Sequence, residues 1–240
     1  MLAIETQNLT KIYKEKTAVN EINLKINQGE LFALLGTNGA GKTTTIKMLS
    51  TLILPTDGKI KINGLDIARD RQKIKELLNV SPQETAIAPN LSVKENLEFM
   101  AGVYQISNKK EKINELIKMF KLDEVLNQKT KTLSGGWQRK VSIAISLINE
   151  PKILFLDEPT LGLDVIARKE LWTVIENLKG KITIILTTHY MEEAQRLSDR
   201  IGIMAKGNLI AVGTSNELIA QTNAENFEDA FVKIATGRQI

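Results

Sequence analysis

The segment Gly36-Thr37-Asn38-Gly39-Ala40-Gly41-Lys42-Thr43 constrains this chain more than any other stretch. It follows the apolar run Leu31 to Leu35, which reads as a buried strand, and precedes a helix expected over 42–51. Strand, glycine-rich turn and helix in that order make a phosphate cradle. Glycines let successive amide N–H groups turn inward, and the helix that follows points its positive end at the same anion. The Lys42 ammonium can reach β- and γ-phosphates, and the Thr43 hydroxyl can ligate Mg²⁺. A chain that carries this unit is expected to be α/β, with the loop at the C-terminal edge of a parallel sheet.

The rest of the sequence supports that expectation. Ile22, Leu24 and Ile26 alternate with polar residues, so 2–8 and 22–27 read as strands. Lys59 to Ile62 alternates and meets Asn63-Gly64, a hairpin-turn signal. The middle reads as helices over 92–103, 109–120 and 134–149, with Ile113, Leu116, Ile117 and Phe120 at helical spacing. Strand and helix then alternate: strands 153–157, 182–187 and 200–205, with helices 164–178 and 190–197 between them. The strands near 153 and 182 are apolar on both faces, as expected where helices cover both sides of a sheet. Gly207-Asn208 suggests a further turn, and 214–220 and 226–235 short helices.

Composition narrows the setting. Hydrophobic residues are 42% and charged residues 25%, as in an ordinary globular protein. There is no cysteine, so neither disulfides nor thiolate metal sites contribute. The net charge of +4 is spread along the chain, which argues against a nucleic-acid partner. The N-terminus lacks the pattern of a signal peptide, and no apolar run approaches the roughly 18 residues of a membrane span, so a cytosolic protein is expected.

Five further places carry chemistry. Ile153 to Leu156 is an apolar strand ending in Asp157-Glu158. A carboxylate at that strand end, beside a phosphate loop, suits Mg²⁺ and falls to Asp157; Glu158 is placed to polarise an attacking water. Alone, such a pair reads as a loop cap or a salt-bridge partner. Leu133-Ser134-Gly135-Gly136 precedes a helix, with Ser134 a good N-cap and the glycines open to a phosphate, which makes a second anion site. His189, the only histidine, ends the buried run Ile184 to Thr188 and is expected to donate to the γ-phosphate. Gln83 could ligate Mg²⁺ or be a surface glutamine; Tyr13 could stack on adenine or pack at an edge.

Taken in order, these residues resemble the ATP-binding cassette family of transporter nucleotide-binding domains. The matches are an aromatic at Tyr13, a Walker A loop at 36–43, Gln83 as Q-loop, LSGG at 133–136, Walker B at 153–157, Glu158 as the catalytic-type glutamate, a D-loop ending at Asp164, and His189 as switch histidine. The resemblance implies a RecA-like phosphate-loop core with a small antiparallel β subdomain and an inserted α-helical subdomain. On that basis residues 1–83 and 150–220 form the ATP-binding core, 84–149 the helical subdomain and 221–240 a C-terminal helical tail.

It also implies ATP and Mg²⁺ as cofactors and a head-to-tail dimer of two copies, or of this chain with a related one. ATP would be held in cis by Tyr13, Gly36, Thr37, Asn38, Gly39, Ala40, Gly41, Lys42, Thr43, Thr44 and Gln83. Ser134, Gly135 and Gly136 would contact it in trans, with Asp164 on the dimer seam. Glu158, His189 and Lys42 would be catalytic, and Thr43, Gln83 and Asp157 would serve the metal. The implied partner is a transmembrane permease, which would hold the chain against the inner face of the cell membrane. One departure stands out: Trp137 replaces the family's usual glutamine. That residue, Gly162-Leu163-Asp164 and the tail Phe227-Glu228-Asp229-Ala230-Phe231 are similar to cassettes of drug- or sodium-extruding exporters. A DNA-repair or ribosome-acting cassette would carry a second cassette, a zinc module or a coiled coil, and a regulatory module that only holds ATP would lack Glu158 or His189.

Overall fold

Alternating residues near the N-terminus form two long antiparallel strands, β1 (Leu2–Tyr13) and β2 (Lys16–Asn27), in a computed structural model that describes residues 1–237. Both outrun the expected 2–8 and 22–27, because register shifts along β1 break the alternation while pairing continues. β3 (Leu31–Leu35) is buried throughout and leads through the phosphate loop into α1 (Lys42–Leu49). β4 (Asp57–Ile62) and β5 (Leu65–Asp66) complete a four-stranded sheet in the order β2-β1-β4-β5. Asn63 at φ 47° and Gly64 at φ 81° make the hairpin between them, the positive angles that such a turn requires.

α2 (Arg71–Leu77) has no counterpart in the sequence reading, since Ile74 is its one buried residue and a single position shows no period. β6 (Leu78–Ser81) follows it directly. Then come α3 (Val93–Val103), α4 (Lys109–Phe120) and α5 (Gly135–Ser146). A capping box fixes the start of α3: the Ser92 hydroxyl accepts from Glu95 N while the Glu95 carboxylate accepts from Ser92 N. β7 (Ile153–Asp157), α6 (Val165–Leu178), β8 (Thr183–Thr188), α7 (Met191–Leu197) and β9 (Arg200–Ala205) alternate as expected. β10 (Asn208–Gly213), α8 (Ser215–Thr222) and α9 (Phe227–Thr236) end the described chain. Residues 238–240 of the expected tail lie outside it. β10 was not expected; its half-exposed residues carry no clear pattern, and the turn before it is Lys206-Gly207, one residue earlier than anticipated.

The second sheet runs β10-β9-β3-β8-β7-β6, parallel except for β10. Its register pairs Leu35 with Thr188 and Asp157 with Thr187, so Gly36, Glu158 and His189 emerge side by side at one edge. Alternate residues of its strands enter two interiors. Leu31, Ala33, Leu35, Leu154, Leu156, Ile184 and Leu186 face a core shared with α3 to α6. Phe32, Leu34, Ile153, Phe155 and Ile185 face a core shared with β1, β2 and β4. Each fully buried large side chain contributes about 1.5–3 kcal/mol, so the central strands are held from both sides.

Candidate nucleotide-binding site

The phosphate loop turns where its neighbours leave no room for side chains. A Cβ at Gly36 would lie 2.4 Å from the Met204 carbonyl oxygen, and Gly41, at φ 103°, would place one 2.6 Å from the Ala18 carbonyl. Thr37, Asn38, Gly39 and Ala40 form the tip, closed by Ala40 N donating to the Thr37 carbonyl at 3.1 Å. Gly41 is the N-cap of α1, whose first turn carries no acidic residue, so the positive end of the helix is not neutralised from within.

Lys42 is only 4% exposed. Its Nζ donates to the Gly36 carbonyl at 2.8 Å and the Thr37 carbonyl at 3.3 Å, and stands 3.4 Å from Glu158 Oε1. The Thr43 hydroxyl donates to Asp157 Oδ1 at 3.2 Å, and that oxygen also accepts from Thr187 Oγ1 at 2.5 Å. Glu158 adopts φ 47°, and its N–H donates to both the Thr187 carbonyl and hydroxyl. The turn points its carboxylate back over the loop, where Oε2 meets His189 Nδ1 at 2.9 Å. An ionised carboxylate only accepts, so Nδ1 is the donor in that pair.

A cavity of about 790 Å³ opens over these groups, and Tyr13, Asn38, Lys42, Gln83, Glu158 and His189 line it. Gly39, Ala40, Gly41, Thr43 and Thr44 also face it, whereas the exposed Thr37 and the buried Gly36 and Asp157 do not line it. Tyr13 is 46% exposed, its ring flanked by Lys11 Nζ at 5.3 Å, rather than packed at an edge.

The turn expected to form a second anion site lies elsewhere. Ser134 and Gly135 are exposed, and neither they nor Gly136 line this cavity. Ser134 has N-cap backbone angles at α5, yet its hydroxyl makes no capping bond. Gly136 packs close to α6, where an added Cβ would meet Ala167 Cβ at 3.0 Å. Asp164 also lies away from the cavity; its Oδ1 caps α6 by accepting from Ile166 N and Ala167 N, both at 2.9 Å. Trp137 is half-buried, with Lys140 Nζ 4.3 Å from its ring centroid; Lys140 also bonds Glu170 at 2.6 Å.

Sequence reasoning passed over two residues that shape the site. Arg139, 4% exposed, reaches from α5 to the loop carrying Gln83, donating to the Pro82 carbonyl at 2.6 Å and to the Gln83 carbonyl. Burial lowers its guanidinium pKa against the raising effect of the Asp157 charge. Glu193 lies buried beneath the Glu158 turn. Within Gln138-Arg139-Lys140 and Glu192-Glu193 both look like ordinary surface charges, and nothing in the sequence separates the buried member from its neighbours.

A parallel sheet that gathers a glycine-rich loop, a buried lysine and strand-end carboxylates at its C-terminal edge defines a phosphate-loop nucleotide-binding protein. Residues 19–161 match the family described as ABC transporter. Phospholipid-transporting ATPase ABCA3 of Homo sapiens is 42% identical over 218 residues, 88% of this chain and 13% of that protein. The probable multidrug ABC transporter ATP-binding protein YbhF of Escherichia coli is 39% identical over 239 residues, 96% of this chain and 41% of that protein. The linearmycin resistance ATP-binding protein LnrL of Bacillus subtilis is 37% identical over 225 residues, covering 92% and 72%. Thus the chain spans less than half the length of the first two relatives.

Among solved structures, an ATP-binding subunit of an ABC transporter superposes with TM-score 0.86 at 29% identity, covering 97% of this chain and 99% of the other. A dimeric ATP-binding cassette in a post-hydrolysis state with ADP and Pi gives 0.79 at 27% identity, covering 88% and 98%. The chain belongs to the ABC transporter family, with the expected RecA-like core.

Proposed function

We propose that this chain is the ATP-hydrolysing half of a nucleotide-sandwich dimer that drives an exporter. The observation that carries the reading is the separation of its two anion sites: the Lys42 cavity and the exposed Ser134–Gly136 turn do not meet within one chain. Two copies facing head to tail would bring each turn onto the partner's loop, with Asp164 and the exposed Val165 and Ile166 at the seam. A dimeric cassette with a closely similar fold supports this arrangement.

In the cycle, the amides of the loop and Lys42 bind the β- and γ-phosphates, and the Tyr13 ring stacks on adenine. The donors beside them suit a hard divalent cation, because the Thr43 hydroxyl and Asp157 carboxylate already meet and the Gln83 amide faces the same cavity. Mg²⁺ bound there would neutralise charge developing on the phosphates. Glu158, oriented by its 2.9 Å contact with His189 Nδ1, accepts the proton of the attacking water. Hydrolysis removes the group that bridges the two copies, so the dimer opens.

Outside the cavity, a groove of about 790 Å³ includes Leu52, Val80, Tyr104 and Ile106, with the exposed Phe99 and Val103 on the neighbouring α3. This apolar surface fits a cytosolic helix of a transmembrane permease, which would hold the cassette at the inner face of the membrane. No helix among the described residues is long and apolar enough to cross a membrane itself. The drug-resistance and multidrug names of relatives favour export.

Complementation tests the trans grip. Lys42→Ala and Ser134→Arg chains are each expected to be inactive as homodimers, because both sites are damaged. Mixing them creates a dimer with one intact site, so ATPase activity is expected to return. Absence of recovery, in chains that still dimerise, would overturn the trans arrangement.

A further inference from the structure

Behind Glu158 and His189 lies a carboxyl group that the cycle above leaves unused. Glu193, in the first turn of α7, is 0% exposed. Its Oε1 accepts from Thr160 Oγ1 at 2.8 Å and from Trp172 Nε1 at 3.0 Å. Thr188 also has a side-chain interaction with the same carboxyl. These partners lie in telling places. Thr160 is two residues beyond Glu158, Thr188 directly precedes His189, and Trp172 is buried in α6. One carboxyl thus ties together the chain leaving β7, the end of β8 and the helix that covers them.

The ends it ties are under strain. Glu158 holds φ 47°, a left-handed conformation that costs a side-chain-bearing residue about 1–2 kcal/mol and persists only where its surroundings impose it. Two contacts hold the turn after it: Leu161 N donates to the Glu158 carbonyl at 3.2 Å, and Thr160 is anchored on Glu193. Burying a carboxyl this deeply is unfavourable, and an apolar side chain of similar volume would cost the fold less. Among the described residues Glu193 Oε2 has no hydrogen-bond partner, so its retention is not explained by complete pairing.

We propose that Glu193 is a positioning residue for ATP hydrolysis: through Thr160 and Thr188 it fixes the backbone beside Glu158 and His189 and so maintains their 2.9 Å contact. This rests on the assignment of Glu158 as the base. Glu193 touches neither nucleotide nor water; it acts by setting where two other side chains stand.

The test compares Glu193→Leu, which removes the acceptor, Glu193→Gln, which keeps an oxygen facing Thr160 and Trp172, and Thr160→Val, which removes one donor at constant shape. The readouts are kcat, KM for ATP, and the side-chain ¹⁵N shifts of His189, which is the only histidine in the chain and therefore an unambiguous probe. Glu193→Leu is expected to lower kcat about 10- to 100-fold with KM little changed, the size of effect that misplacing catalytic groups produces. The His189 signals are expected to move with it. Thr160→Val is expected to change both in the same direction but less, and Glu193→Gln to restore both.

A folded Glu193→Leu or Thr160→Val protein with wild-type kcat and unmoved His189 signals overturns the proposal. Should the leucine variant not fold, Thr160→Val decides alone. Glu158→Gln serves as the control: if it keeps turnover, the assignment of the base fails; if it is inactive while the Glu193 and Thr160 variants behave as wild type, only the positioning role falls.

Discussion

Glu158→Gln removes one charge from the site and leaves its shape intact, so it measures what that charge does. In the structure Glu158 Oε1 lies 3.4 Å from Lys42 Nζ, with both side chains at most 9% exposed. At an effective dielectric of about 20, unit charges at that distance attract by about 5 kcal/mol. Desolvation of both groups cancels much of this, and Lys42 keeps its bonds to the Gly36 and Thr37 carbonyls. A net loss of about 2 kcal/mol is therefore expected on neutralising Glu158, and for a chain of this size that lowers Tm by roughly 4–8 °C without nucleotide.

ATP should reverse the loss. Its phosphates supply Lys42 with new counter-charge, and the variant no longer sets a carboxylate against the γ-phosphate. Relief of about 1.4 kcal/mol gives roughly tenfold tighter ATP binding. Turnover is expected to fall by about 10²–10⁴, the usual contribution of a general base. Differential scanning fluorimetry with and without ATP, calorimetric titration of ATP and a phosphate-release assay measure these quantities. Unchanged Tm without ATP, together with unchanged ATP affinity, would refute the claim that the Lys42–Glu158 pair shapes the energetics of the loop.

Two more expectations follow from buried charges. Arg139→Met removes the guanidinium bonds to the Pro82 and Gln83 carbonyls, which should cost about 2 kcal/mol and raise hydrogen exchange at the amides of Gln83 and Glu84; unchanged exchange there would contradict the clamp. Burial first of all raises the Glu193 carboxyl pKa above its ordinary range, so the folded chain holds that proton more tightly than the unfolded one. The stability this gives is present in acid and lost as pH rises through the folded-state pKa. Glu193→Gln cannot titrate, so its stability relative to the parent should grow as pH rises above the ordinary carboxylate range, as urea denaturation would show; a gap that narrows instead would contradict the sign.

The sequence was most legible where one residue type had a single physical use. Leu31 to Leu35 and Ile153 to Leu156 are apolar on both faces because both faces are buried, so their strands and the groups at their ends could be placed. The start of α5 at Ser134 was read from cap chemistry, although the hydroxyl expected to cap it does not do so. α2 and β10 escaped because each is half-exposed and too short to show a period. Arg139 and Glu193 escaped for a different reason: whether a charge is buried depends on which helix face meets which loop, and that is decided by tertiary packing. The approach of His189 to Glu158 has the same origin, since residues 31 positions apart meet only through the register of β7 on β8.

The alternation of β3, β7 and β8 between two interiors has a consequence for accuracy. A slip of one position along any of these strands would turn Phe32 or Phe155 toward the wrong compartment and force misfits on both sides of the sheet at once. Sliding is therefore prohibited twice over. The tips of the strands inherit that fixity: the lysine, carboxylates and imidazole stand like marks on rulers clamped at both edges, and loop chemistry at the rim can be exact because the interior beneath it cannot shift.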